Sequence, residues 1–223
     1  MRVAIMQPTF FPWAGYFSLI KNVDKFVFLD DVEYSHQSWQ SRNYFEVAGQ
    51  PKLISIPVSC SSSSPIVDVQ LSNLPRFLKK MERTLSQSYA KSSGKNIIEE
   101  LFRILRDKKL TNLADFNIEV ICFFTKRLDL TSQFIRSSEL NVLGSKSEKV
   151  NGILRKLSAT NYISAPGSRA YMEEYGLDNF CCAVEFFDYR QSQTVSGYEV
   201  HGKNLSILHS LMNYSKEGIL DAI

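Results

Sequence analysis

The adjacent carboxylates Asp30 and Asp31 follow directly on the apolar run Phe26-Val27-Phe28-Leu29, and His36, Arg42 and Asn43 come soon after. Paired carboxylates could bind a metal, accept the proton of a hydroxyl or amine, or hold sugar hydroxyls; they also commonly cap turns. His36 is the histidine of this region, and the ordinary pKa of an imidazole makes it a candidate general base. Arg42 offers a planar guanidinium suited to two hydrogen bonds with one phosphate, and Asn43 an amide for a hydroxyl. Gln7, Trp13 and Tyr16 add an amide and aromatic walls from the stretch just before. Lys146 and Arg169 fall at an expected helix start and a turn after a strand, where unpaired backbone N–H groups also favour an anion. The set describes a site for the pyrophosphate and sugar of a nucleotide sugar. His36, Asp30 and Asp31 are its catalytic candidates. Gln7, Trp13, Tyr16, Arg42, Asn43, Lys146 and Arg169 are its substrate-binding candidates.

For these residues to meet, the first 43 residues must fold as strand, loop, helix and strand. Val3-Ala4-Ile5-Met6 is an apolar run that stops at Gln7-Pro8, where proline removes a backbone donor and biases Gln7 towards extended geometry. Its lack of charge predicts a strand inside the sheet, because edge strands usually carry charged protection. Tyr16, Phe17, Leu19, Ile20 and Val23 have the spacing of a short amphipathic helix. Phe26 to Leu29 suits a strand buried on both faces. Open α/β sheets bind ligands beyond the carboxyl ends of their strands, so Gln7, Asp30, Asp31 and the polar-aromatic run 34–43 should surround one crevice.

Beyond the opening, Tyr44–Val47 and Lys52–Ile56 flank Ala48-Gly49-Gln50-Pro51, which reads as a hairpin whose second strand is a candidate to join the main sheet. The serine-rich 59–65 is a surface connection or a lid, and Ile66–Leu71 reads as a short strand. Residues 74 to 129 are helical in character. Asn73 is the candidate cap and Pro75 a first-turn residue, and breaks fall near Ser92-Ser93-Gly94 and Thr111-Asn112. Strands return at Gln133–Arg136, Asn161–Ser164 and Cys182–Phe187. Helices lie between them, the shorter one stopped by Gly176, and a last helix over Leu205–Tyr214 closes the chain. Strand-helix-strand repetition favours parallel pairing. The expected fold is α/β: a three-layer, Rossmann-like, largely parallel sheet with a helical insertion or subdomain. Residues 1–72 and 130–223 would form the sheet domain, and 73–129 a helical subdomain beside the crevice.

Composition excludes little. The chain has 223 residues, 44% hydrophobic and 22% charged, as in ordinary globular domains, and its net charge of +3 gives no strong signal for nucleic acid. No apolar run is long enough to cross a bilayer. The four cysteines, Cys60, Cys122, Cys181 and Cys182, form neither a zinc motif nor a disulfide framework. With no signal-peptide pattern at the N-terminus, a cytoplasmic location is expected. Dinucleotide, phosphate-loop and nucleophile-elbow motifs are missing, as is any metal-ligand cluster, so the residues identify no cofactor or metal. The oligomeric state is left open.

One resemblance is specific. Gln7-Pro8, Pro12-Trp13-x-Gly15-Tyr16-Phe17, Phe26-x-x-Leu29-Asp30-Asp31-Val32 and Arg42-Asn43 resemble the opening signature of the WbqC-like family. The likeness continues in Leu53-Ile54-Ser55-Ile56-Pro57-Val58, in Tyr162-Ile163-Ser164 with Gly167 and Tyr171, and in Leu205-Ser206-Ile207-Leu208; between about 60 and 140 it is one of length and character only. The family tends to have aspartate where this chain has His209. The resemblance implies a place in bacterial surface-polysaccharide (O-antigen, lipopolysaccharide) biosynthesis. It also implies transfer of an acyl or aminoacyl group, a glycyl group for instance, to the amine of a nucleotide-linked amino sugar. An acyl or aminoacyl donor would then be the co-substrate. The alternatives are a non-catalytic sugar-nucleotide-binding accessory protein of a glycan-assembly complex, or a nucleotidylyltransferase-like enzyme. Strand, proline-rich loop and helix, with Lys146-Ser147-x-Lys149 later, are faintly similar to the last, but its loop histidines are replaced by Trp13-Ala14-Gly15-Tyr16.

Overall fold

The computed structural model describes residues 1–61, 63–188, 199–200 and 203–223. Along the chain come β1 (Arg2–Met6), α1 (Ala14–Lys21), β2 (Lys25–Phe28), β3 (Arg42–Val47), β4 (Gln50–Ser55), β5 (Val58–Ser59) and β6 (Gln70–Leu71). Helices α2 (Leu74–Ser88), α3 (Lys95–Asp107) and α4 (Leu113–Arg127) follow. Next are β7 (Gln133–Arg136), α5 (Ser137–Leu140), α6 (Lys146–Lys156), β8 (Asn161–Ser164), α7 (Arg169–Tyr175) and β9 (Ala183–Phe186). The chain ends with β10 (Glu199–Val200), β11 (Lys203–Asn204), α8 (Ile207–Asn213) and α9 (Lys216–Ala222).

Strands β7, β2, β1, β8 and β9, in that spatial order, form one wholly parallel five-stranded sheet, with β1 at its centre as its uncharged run predicts. Alternation along the strands divides the interior in two. Ala4, Phe26, Phe28 and Ile163 point into a large core shared with α1, α2, α3, α4, α8 and α9. Val3, Ile5, Val27 and Tyr162 point the other way, against Val150, Ile153 and Leu154 of α6 and Met172 of α7. The protein is therefore a three-layer α/β, Rossmann-like fold. Helices α2 to α4 enter the chain between β6 and β7, and their apolar stripes (Leu78, Met81, Leu85; Ile98, Leu101, Phe102, Leu105; Phe116, Val120, Ile121, Phe124) are buried in the same core as one face of the sheet.

Some local expectations change. β4 pairs with β3 alone instead of joining the main sheet. The two-residue turn Ala48-Gly49 has positive φ at both positions, which matches the twist of the strands it joins. Ile66–Leu71 is not a continuous strand: Ile66 N and Val67 N donate to Val32 O and Asp30 O, which curls Ile66–Asp68 into a 3-10 turn and leaves only β6 extended. Asn73 stands at the cap position of α2, but in left-handed backbone (φ 49°) and without a side-chain cap bond. Helix α9 extends the chain beyond the expected last helix.

Candidate functional site

The backbone opens a crevice where β1 and β8 part. Their ladder pairs Arg2 with Asn161 and Val3 with Tyr162 and goes no further. Towards the carboxyl ends, Ala4 to Met6 pair with β2, while Ile163 and Ser164 pair with β9. Counted by appearance within the sheet, the strand order is 3-2-1-4-5. In such sheets this junction, where the order reverses, is where ligands bind.

Gln7 stands at the carboxyl end of β1. Its Oε1 accepts from Gln40 Nε2 at 2.8 Å and its backbone carbonyl from the Tyr16 hydroxyl at 3.1 Å. The two N–H groups of its own amide have no partner among the described residues. Gln40, itself buried, also accepts from Ser35 N at 3.0 Å, so a single side chain joins the end of β1 to the loop that carries His36.

Two buried amides hold the loops in register. Asn117 of α4 donates to Pro8 O at 3.0 Å and Gln40 O at 2.8 Å, tying the loop after β1 to the loop after β2. Asn43 donates to Phe11 O at 2.7 Å and Phe10 O at 3.3 Å. That fixes Phe11 in left-handed backbone (φ 46°) while both rings sink into the core. The loop after β1 is therefore a rigid plug. Trp13 lies across Gly15, where an added Cβ would sit 2.3 Å from the indole, which is why glycine stands two residues after the tryptophan.

The carboxylates at the end of β2 are tightly held. Asp30 is wholly buried and accepts from Arg136 Nε at 2.6 Å and from Ser138 N and Oγ at 3.0 Å each. Arg136 also reaches Asp115 Oδ1 at 2.6 Å. Burial works against the Arg136 charge, but the hydrogen bonds to Asp30 and Asp115 outweigh it, and the guanidinium's pKa lies above its ordinary value. Asp31 accepts from Ser137 Oγ at 2.5 Å and from the buried Lys149 Nζ at 2.8 Å, in an ion pair that crosses from β2 to α6. A carboxylate that accepts from three strong donors has little capacity left to take a substrate proton. Asp30 thus acts as an anchor between β2 and β7.

His36 is exposed, its ring edge-on to Tyr34 at 5.1 Å, and its Nε2 lies 3.9 Å from Cys60 Sγ. Arg42 opens β3, two residues after Gln40; it is half-buried, and its guanidinium makes no hydrogen bond or ion pair among the described residues. Lys146 opens α6, one turn before Lys149, and Arg169 opens α7, which follows the carboxyl end of β8. Lys146 is exposed and lines a shallow cavity of about 370 Å³ with Ser145, Glu148, Tyr171 and Glu174, where two carboxylates oppose one ammonium. Arg169 stacks over the Phe186 ring at 3.9 Å and pairs with Glu173 at 3.4 Å.

The structure thus joins Gln7, Tyr16 and Asn43 through the loops that also carry His36 and Arg42, and sets Asp30 and Asp31 at the neighbouring strand end. The Trp13 backbone bridges to that of Ser206, the cap of α8, while its indole lies over Gly15. Sequence reasoning missed Asn117, Arg136 and Cys60 as site residues; it held Gln40 only within the run 34–43 and Lys149 only within Lys146-Ser147-x-Lys149. Asn117 had a readable signal, since it falls on the apolar stripe of α4, at the turn spacing of Leu113, Phe116, Val120 and Phe124. Among the described residues no group of three or more His, Cys, Asp or Glu side chains could hold a metal ion, and no helix is long and apolar enough to cross a membrane.

A model of the WbqC-like protein family matches residues 7–220. The uncharacterized protein Rv1507c of Mycobacterium tuberculosis is 28% identical over 222 residues, which covers 97% of this chain and 95% of that one. No solved structure matches the chain.

Proposed function

We propose, because this chain belongs to the WbqC-like protein family, that it serves bacterial surface-glycan biosynthesis as a transferase. Family membership points to glycan biosynthesis. The reaction proposed is acylation or aminoacylation of the amine of a nucleotide-linked amino sugar. The observation that carries this reading is the Gln7 amide, whose N–H groups have no partner among the described residues, at the carboxyl end of β1 where β1 and β8 part; the Arg42 guanidinium, also without a partner among them, opens β3 two residues after Gln40, which Gln7 meets. A half-buried arginine without a counter-ion suits a phosphate, and a free amide suits sugar hydroxyls.

In this mechanism Arg42 holds the phosphates and Gln7 orients the sugar, while Asn43 fixes the loop after β1 through Phe10 O and Phe11 O. His36 removes the proton from the attacking amine. It is preferred to the aspartates because Asp30 is saturated by donors and Asp31 is ion-paired with Lys149, whereas the imidazole is open to solvent. The carboxylates keep the strand ends in place.

The test is to incubate the purified protein with a panel of nucleotide-linked amino sugars and acyl or aminoacyl donors, and to weigh the sugar product by mass spectrometry. An N-acylated sugar that appears with the native protein and not with His36→Gln supports the reading. Tight binding of the sugar nucleotide without any product would replace it with an accessory binding role.

A further inference from the structure

The transferase reading assigns His36 a proton to move but says nothing of the thiol beside it. Cys60 follows β5 and is half-buried against the main core, with Sγ 3.9 Å from His36 Nε2. That contact joins segments 24 residues apart, and the surrounding loops are tied to each other. Tyr34 N donates to Ser64 O at 2.9 Å, Glu33 bridges Pro65, and Ser61 and Ser64 share a 2.7 Å hydroxyl contact. On the other side the Tyr34 hydroxyl meets Ser41 Oγ at 2.7 Å in the interior, so the ring against His36 is itself anchored. The serine-rich loop thus holds a cysteine against a histidine.

We propose that Cys60 and His36 form a nucleophile-base pair that carries the acyl group covalently between a thioester donor and the amino sugar. The proposal rests on the transferase reading and deepens it by naming the donor class. A thiol is activated by an adjacent imidazole, and a neighbouring base within hydrogen-bond reach is the signature of a covalent catalyst. The other three cysteines lack this setting. Burial, with Glu119 nearby, raises the Cys122 thiol to about 11, and burial with Cys181 alongside raises Cys182 to about 11. Cys181 is exposed, and its sulfur contacts the Asn151 carbonyl.

The two half-reactions balance. Cys60 Sγ attacks the donor's thioester carbonyl, a new C–S bond forms, and the bond to the donor's thiol breaks. His36 takes the Cys60 proton and returns it to the departing thiol. The sugar amine then attacks the Cys60 thioester; a C–N bond forms, the C–S bond breaks, and the amine proton passes through His36 to the Cys60 sulfur.

The test uses the whole protein, an acetyl thioester of a small thiol, and peptide mass spectrometry, with no sugar present. The expected result is an acetyl group on Cys60 that neutral hydroxylamine removes, absent from Cys60→Ala and formed about a hundredfold more slowly in His36→Gln. Cys181 in the same molecules measures nonspecific acylation. Equal labelling of Cys60 and Cys181, an unchanged Cys60 rate in His36→Gln, or an unacylated Cys60 that iodoacetamide still alkylates would each overturn the proposal. Because both residues are at least partly exposed, the variants keep the fold, as a thermal melt checks. Acylated sugar still made by Cys60→Ala would remove the covalent step and leave the transferase reading standing. Acylation of Cys60 that no amino sugar discharges would support the pair and count against the acceptor.

Discussion

Arg136→Leu is the sharpest probe of the framework beneath the crevice. Asp30 is completely buried, and its sole cationic partner among the described residues is the Arg136 guanidinium at 2.6 Å. Leucine at 136 leaves that carboxylate with neutral donors only, from Ser137 and Ser138, and also removes the ion pair of Asp115. Breaking a buried ion pair by removing one partner costs roughly 3–5 kcal/mol. The lower end applies here, about 3 kcal/mol, because a quarter of the Arg136 side chain (26%) is exposed and solvent compensates part of the loss. For a domain of this size each kcal/mol shifts the melting temperature by roughly 2–4 °C, so the variant should melt about 6–12 °C lower. Thermal and urea unfolding followed by circular dichroism measure this. Adding Asp30→Asn should recover part of the loss, since a neutral amide needs no counter-charge, and the two changes should couple by about 1 kcal/mol or more. A melting shift below about 2 °C in the single variant, or strictly additive effects in the double, would refute the claim that the pair anchors β2 to β7.

Two further changes probe the surroundings. Asn117→Leu should cost about 2–4 kcal/mol in urea unfolding, because it strands the buried carbonyls of Pro8 and Gln40. A cost below 1 kcal/mol would mean that the two loops are held by something else. His209 packs against the Tyr89 hydroxyl at 3.1 Å, Glu46 Oε2 at 3.4 Å and the Asn213 amide; burial lowers its pKa, and Glu46 opposes this without reversing it. An unfolded histidine titrates near its ordinary value of about 6.5, so below that pH the unfolded state binds the extra proton and stability falls. The melting temperature of the native protein should therefore drop more between about pH 7.5 and 5.5 than that of His209→Gln. Equal drops would show that Glu46 holds the imidazolium as well as water does.

The sheet was legible because each of its first strands is an apolar run too short for a helix and bounded by polar residues. Phe26, Val27 and Phe28, buried on both faces, show why such a run takes no alternation. The rule that polar residues after a strand line the crevice located Gln7, Asp30 and Asp31, and applied to β7 it would also have found Arg136 and Ser137. Partners distant in sequence were not readable. Lys149 meets Asp31 across 118 residues, and Cys60 reaches His36 only because two loops pair outside the sheet. Ile66–Leu71 looked like a strand because its apolar residues alternate, but its backbone donors satisfy the loop after β2. Helix α9 is too short for its apolar spacing to mark it, and its sequence signal is the cap Ser215, which accepts from Gly218 N at 3.1 Å. The fate of Asp30 shows the limit most clearly: a carboxylate after a strand reads the same in sequence whether it faces a substrate or an arginine.

Binding of a nucleotide-linked amino sugar to Arg42→Ala, measured by titration calorimetry beside a thermal melt, tests the central claim most directly. The Arg42 guanidinium makes no hydrogen bond or ion pair among the described residues, so the melt should not change. Loss of a charge-assisted hydrogen bond costs roughly 1.5–3 kcal/mol, so affinity should fall about ten- to 150-fold. Unchanged affinity in a variant that melts like the native protein would contradict the account, because the phosphate would then lie elsewhere.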